Sequence, residues 1–167
     1  MSSRTIAGLL RGRGAHVDPV ACIEDISAEF AARRVKGFPH SIGQLVSHMN
    51  YWMDYDLRRI RGDKPKYPEH NSESFPAQGT PADEEEWSHL RKTFSALLDA
   101  ATQTTNCSRE ELDRQIEPTH PSHEEREASL EAVLWQLVTH NSYHIGQIAM
   151  IRRALGAWPP RGGGDTW

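Results

Sequence analysis

Two histidines four residues apart, His140 and His144, lie in the run LWQLVTHNSYHIGQIAMIRRAL from Leu134 to Leu155. On a helix that spacing puts both imidazoles on one face, one turn apart. Neutral imidazoles present lone pairs, and three of them hold a divalent ion while leaving positions open for water or substrate. Imidazole suits zinc, nickel, copper or iron(II), so the donor type does not name the ion. Such an ion lowers the pKa of a bound water or thiol and makes a nucleophile at neutral pH. The natural third imidazole is His48, in SIGQLVSHMNYW, three residues after Leu45 and four before Trp52.

Spacing alone does not decide the matter. With nine histidines in the chain, HxxxH pairs arise by chance, and satisfied core or surface histidines are the more economical reading. Two alternatives are testable on the letters. A zincin needs HExxH, with the glutamate as base, but Asn141 follows His140. A di-iron bundle needs Glu-x-x-His pairs on two helices. Glu86 to His89 and Glu117 to His120 match in letters, but Pro118 interrupts the second, and neither pair lies on an apolar stripe.

The elements that must position these residues read as helices. Leu130, Leu134, Leu137, Asn141, His144, Ile148, Ile151 and Leu155 follow a 4-3-4-3 spacing, the stripe of a helix that packs in a bundle. A capping box at Ser122 to Glu125 is expected to open this last helix, and Gly156 with Pro159 and Pro160 to close it. Asp18-Pro19 predicts a first long helix running to about Val35, after a short helical turn over residues 4–11. Ser41 and Gln44 form a capping box for a second helix that Gly62 ends, with His48 beside its buried stripe. Residues 62–80, punctuated by Gly62, Pro65, Pro68, Pro76 and Gly79, predict a long irregular crossover loop. Long loops often border a site. A third helix is expected from Thr80-Pro81-Ala82-Asp83 to about Thr102, and a short one after Ser108. The expectation is all-α: a four-helix bundle in a single domain, residues 1–167.

Composition narrows the function. A net charge of −4 with no block of like charge argues against nucleic acid. No run approaches the ~18 apolar residues of a membrane span. Two cysteines, Cys22 and Cys107, imply no disulfide framework, so a cytoplasmic location is expected. Residues 1–17 are basic and free of acids, somewhat like a transit peptide, but lack a secretory apolar region.

Around the histidines, Gln147 is placed either as a partner for a ligand imidazole or as a surface contact. Asn141 is expected in a buried polar contact, and Tyr143 in packing or a dimer contact. Trp52 reads as core, His40 as a cap or stack near the second helix, and Arg152 and Arg153 as a solvated charged face. His16, His70, His89, His120 and His123 receive no role. Asp54 or Glu131 would be the base if the ion activated water for hydrolysis. The tail with Trp158 and Trp167 is expected to pack back on the bundle or on a partner chain.

The segments LLRGRGAHVDP, PHSIGQLVSHMNYW, HNSYHIGQIAMIRRALGAWPP and GGDTW together resemble the DinB/YfiT-like superfamily of metal-dependent bundle proteins. The resemblance spans most of the chain, apart from the middle 63–125. It implies an up-down-down-up four-helix bundle, usually a homodimer, with a divalent metal, zinc or nickel, held by His48, His140 and His144. Relatives include thiol S-transferases that use bacillithiol or mycothiol and a mycothiol-dependent maleylpyruvate isomerase. The resemblance therefore implies a small-molecule substrate and a low-molecular-weight thiol presented as thiolate to an electrophile. Some relatives carry an acidic residue where this chain has His140, which leaves this site one charge more positive. The family is unrelated to the DNA polymerase that shares its label.

Overall fold

Ser41 starts the helix that carries His48. Its Oγ accepts from Gln44 N at 3.3 Å, and Gln44 Oε1 accepts from Ser41 N at 3.1 Å. This reciprocal pair satisfies two N–H groups that a helix start leaves orphaned. The helix ends at Gly62, whose φ of 93° suits glycine. In the computed structural model, which describes residues 3–76, 79–120 and 129–162, the helices are α1 Ser3–Leu10, α2 Ala21–Glu24, α3 Ala28–Ala32, α4 Ile42–Arg61, α5 Glu84–Thr104, α6 Arg109–Asp113 and α7 Leu130–Ala154. Among the described residues there is no strand, only an isolated bridge between Gln115 and Ser129. No described helix is long and apolar enough to cross a membrane.

Three long helices make the frame. α4 packs on α5 and α7, and α1 fills the groove between α5 and α7. The core joins Ile6 and Leu10 of α1, Leu45, Met49 and Met53 of α4, Trp87, Phe94 and Leu98 of α5, and Leu134, Leu137, Ile145 and Ile148 of α7. The stripe of α7 is buried from Leu130 to Ile151, with Asn141 and His144 inside it.

The first long helix expected over 18–35 is two short ones. The chain breaks at Asp25, Ile26 and Ser27, and each finds a better partner than a continuing helix would supply. Asp25 pairs with Arg152 of α7 at 2.7 Å. Ile26 O accepts from the buried Trp87 Nε1 at 2.7 Å. Ser27 caps α3 through Phe30 N, and Glu84 accepts from Ala28 N at 2.6 Å. The last helix also starts later than expected, at Leu130, because Ser129 lies in extended backbone and caps Ala132 N. The expected start at 122–125 lies outside the described residues, as does Trp167. Trp158 packs half-buried against the core, with Arg153 over its ring at 4.8 Å.

The crossover is not wholly irregular. A 3₁₀ turn at Asn71–Ser74 interrupts it, and its far end lies on the start of α4. A Cβ at Gly43 would collide with Pro81 and the Thr80 carbonyl. Glycine there lets the loop lie flat on the helix, one turn before His48.

Candidate metal centre

His48 projects from α4, and His140 and His144 from α7, and the three ring nitrogens that face one another are all Nε2. His140 Nε2 lies 3.1 Å from His48 Nε2 and 3.1 Å from His144 Nε2. One nitrogen from each residue falls within 4.8 Å of the others. Nitrogens bound tetrahedrally to one zinc at about 2.0–2.1 Å sit roughly 3.3 Å apart, and the two separations made by His140 are close to that.

The hydrogen bonds behind two of the rings fix which way their lone pairs point. Ser74 Oγ donates its proton to Asn71 O at 2.5 Å. It therefore accepts from His48 Nδ1–H, at 2.8 Å. Gln147 Oε1 is an acceptor only, so His144 Nδ1–H donates to it at 2.8 Å. Both rings thus carry their hydrogen on Nδ1 and turn bare Nε2 atoms toward the centre, the arrangement outer partners impose on metal-binding imidazoles. His140 Nδ1 is buried without a hydrogen-bond partner among the described residues, so the polar contacts of this ring are those of Nε2 with the other two imidazoles. The donor set and the convergence fit a divalent metal.

Burial keeps the centre neutral. Desolvation, then the neighbouring His144, His140 and His40, push His48 down to about 3. Desolvation and His144 push His140 down to about 4, with Asn141 working the other way. His144 is lowered too, first by desolvation. Below the ordinary value of 6.5, the unfolded chain binds protons that the folded centre refuses. The stability of the metal-free protein should therefore fall as pH drops from about 6.5 toward 4, by up to about 1.4 kcal/mol per pH unit for each histidine. Urea midpoints measured across that window should fall more steeply for wild type than for His48→Leu. Equal slopes would mean that these imidazoles titrate normally.

Phe75 holds the His48 ring from its face. Its ring lies parallel to His48 at 3.9 Å and to His40 at 3.8 Å, sandwiched between them. The stack expected of His40 is thus present, on a residue of the crossover. For an ion held by these nitrogens, Ser74→Ala is expected to weaken binding about 10–100-fold, the usual cost of losing an outer-shell partner. A zinc competition titration checks it, and an unchanged affinity would remove Ser74 from the site.

The histidines form one wall of a cavity of about 490 Å³, which Trp52, Tyr55, Asp56, Tyr67 and Tyr143 also line. Trp52 is therefore a cavity wall and not core: it is half-buried, edge-on to His48 at 6.4 Å. Tyr143 is 65% exposed, its ring 5.0 Å from that of His144. Gln147 takes the imidazole-partner role, and Asn141 Nδ2 reaches Met53 Sδ at 3.2 Å. Arg152 is not solvated: it is 1% exposed and bonded to Asp25, Cys22 O and Ala157 O. Asp54 and Glu131 lie elsewhere, ion-paired with Arg58 and Arg109. Ser74, Phe75, Tyr67 and Asp56 were not singled out by the sequence. The first three sit in the crossover, whose only signal was its length.

The molecule is thus an all-helical protein in which α4 and α7 bring three histidines into a group compatible with a divalent metal. The chain belongs to the DinB family, whose model matches residues 20–162. No curated protein and no solved structure matches it.

Proposed function

We propose that this protein is a metal-dependent enzyme that activates a low-molecular-weight thiol at His48, His140 and His144 for S-transfer to an electrophile, with zinc or nickel as its ion. The reading rests on three Nε2 atoms converging on one wall of an open cavity. A divalent ion held there would supply the Lewis acidity that deprotonates a thiol at neutral pH. Ser74 and Gln147 hold two of the rings in register, and Trp52, Tyr67 and Tyr143 wall the space where a substrate would lie. The chain's own cysteines are poor sources of the sulfur. Burial pushes the Cys22 thiol up to about 12, Cys107 is raised as well, and neither lines the cavity. A thiol must therefore enter as a small molecule. Hydrolysis is the weaker reading, since neither Asp54 nor Glu131 stands near the histidines.

The test is metal analysis of untagged protein, followed by assays with a chromogenic aryl halide and with aryl esters. About one ion per chain, and turnover of the halide only with an added thiol such as cysteine or glutathione, are expected. Ester turnover without thiol would transfer the site to hydrolysis. Turnover of neither would leave a metal-binding bundle and sink the enzyme reading.

In the same reading the short α1 and α2–α3 stand in for the first helix of an up-down-down-up four-helix bundle, and the protein works in the cytoplasm as a homodimer. The exposed Tyr143 and Met150 flank Gly146 along α7, and nothing lies within 4 Å of where a Cβ on that glycine would stand. Light scattering should give twice the 18.9 kDa chain mass. A monomer at micromolar concentration would overturn the dimer.

A further inference from the structure

Beyond His48, the face of α4 that turns to the cavity carries Trp52, Tyr55 and Asp56, with Arg59 one turn on. Asp56 and Arg59 are each 3% exposed at the side chain, and Arg59 Nη1 donates to Asp56 Oδ1 at 3.0 Å. The other carboxylate oxygen has no hydrogen-bond partner among the described residues, and Asp56 lines the cavity. A buried ion pair is a poor way to stabilise a helix, since apolar replacements of the whole pair are often neutral or better. A spare acceptor facing an open cavity gives the pair another use.

The surroundings state what that acceptor suits. Desolvation pushes Asp56 up to about 6, against the pull of Arg59, so it is mostly ionised at neutral pH. Trp52, Tyr55 and Tyr67 form a ring cluster with centroids 5.4 to 5.8 Å apart on the same wall. A carboxylate beside aromatic faces recognises a cation that carries N–H donors. Arg59 takes the Oδ1 side and already lies over the Tyr55 ring at 5.9 Å, which leaves the other oxygen, with Trp52 and Tyr67, for a ligand cation; an apolar end would leave that oxygen bare. Asp56 lies eight residues after His48, or about 12 Å along the helix.

We propose that Asp56, with Trp52 and Tyr67, is a subsite for the amino group of the small molecule whose reacting atom lies at the three histidines. The far end of this assignment rests on the metal–thiol reading, while the amino subsite stands on its own residues.

Calorimetry on the zinc-loaded protein tests it with alkanethiols of about eight carbons ending in an amine, a hydroxyl or a carboxylate, a length matched to the helix rise. The aminothiol is expected to bind at least about tenfold tighter than the hydroxythiol, with the carboxylate weakest. The preference should fall below about twofold in Asp56→Asn. The double variant Asp56→Asn with Arg59→Met removes the pair together, leaves neither charge buried alone, and should lose the preference too. Equal binding of all three ends by wild type, or a preference that survives in both variants, overturns the subsite and leaves thiol binding standing. If no thiol binds, the metal–thiol reading fails, and metal-free protein decides the subsite by itself. Hexylammonium must then bind more tightly than hexanol in an Asp56-dependent way, and the absence of that difference overturns it.

Discussion

His144→Ala should emerge from purification with almost no metal where wild type carries about one ion per chain, and His48→Ala should do the same. The loss should exceed the ~10–100-fold expected for an outer-shell partner such as Ser74, because a donor atom itself is gone. The remaining pair would include His140, the one imidazole with no hydrogen bond behind it. His89→Ala is the control, since His89 is exposed on α5 and far from the cavity lining. A second readout is thermal. Zinc at about 100 times its dissociation constant should stabilise wild type by roughly 2.7 kcal/mol, or about 5–10 °C for a chain of this size. His144→Ala should show no shift. Wild type that neither contains nor takes up zinc or nickel would reduce the three histidines to core residues. Full metal retention in both alanine variants would place the ion elsewhere.

What was legible in the sequence was what short-range chemistry determines. The Ser41–Gln44 box, the glycine that ends α4 and the buried stripe of α7 each depend on residues within a few positions of one another. His144 could be placed inside that stripe because helical period alone puts it there. His48 could be joined to the pair because it stood beside a second stripe of the same kind. The failures are long-range. A helix over 18–35 is a fair reading of its own letters, but Asp25 and Ile26 give up helical geometry for partners on α7 and α5 that no local pattern announces. Ser74 and Phe75 sit in a loop with no period at all, so nothing marked them as the residues that orient His48. Asp56 and Arg59 look like an ordinary surface pair three residues apart on a helix. Only the packing of the crossover and the loop around Thr119, which bonds Tyr55, shows that both are buried.

Arg152→Ala should destabilise the fold by about 3–5 kcal/mol, because the buried guanidinium makes three hydrogen bonds and bonds to a charged group contribute about 1.5–3 kcal/mol each. Arg152 sits near the end of α7, where a cation would ordinarily serve the helix dipole from solvent. Instead its Nη1 donates to Cys22 O at 2.6 Å and Asp25 Oδ1 at 2.7 Å, and its Nε to Ala157 O at 2.9 Å. Asp25 Oδ2 accepts from Arg161 N at 2.8 Å, so one guanidinium ties the helix break after α2, the end of α7 and the tail together. Truncation strands a carboxylate and two carbonyls at once. At 2–4 °C per kcal/mol the melting temperature should drop by roughly 6–20 °C. Lysine should rescue only part of this, because one ammonium cannot reproduce the planar fork. The pH dependence separates this account from simple loss of packing. Burial raises the Asp25 pKa, but the Arg152 and Arg161 hydrogen bonds outweigh it and hold the carboxyl below its ordinary 3.8. A depressed carboxyl contributes stability above its unfolded value and loses it as pH falls through the folded one. The gap between wild type and Arg152→Ala should therefore narrow below about pH 4. Because Arg152 lies two turns past His144, metal content measured below the melting transition should remain near one ion per chain. A gap that stays constant with pH would assign the loss to packing alone, and a variant as stable as wild type would remove Arg152 from the set of residues that hold the fold.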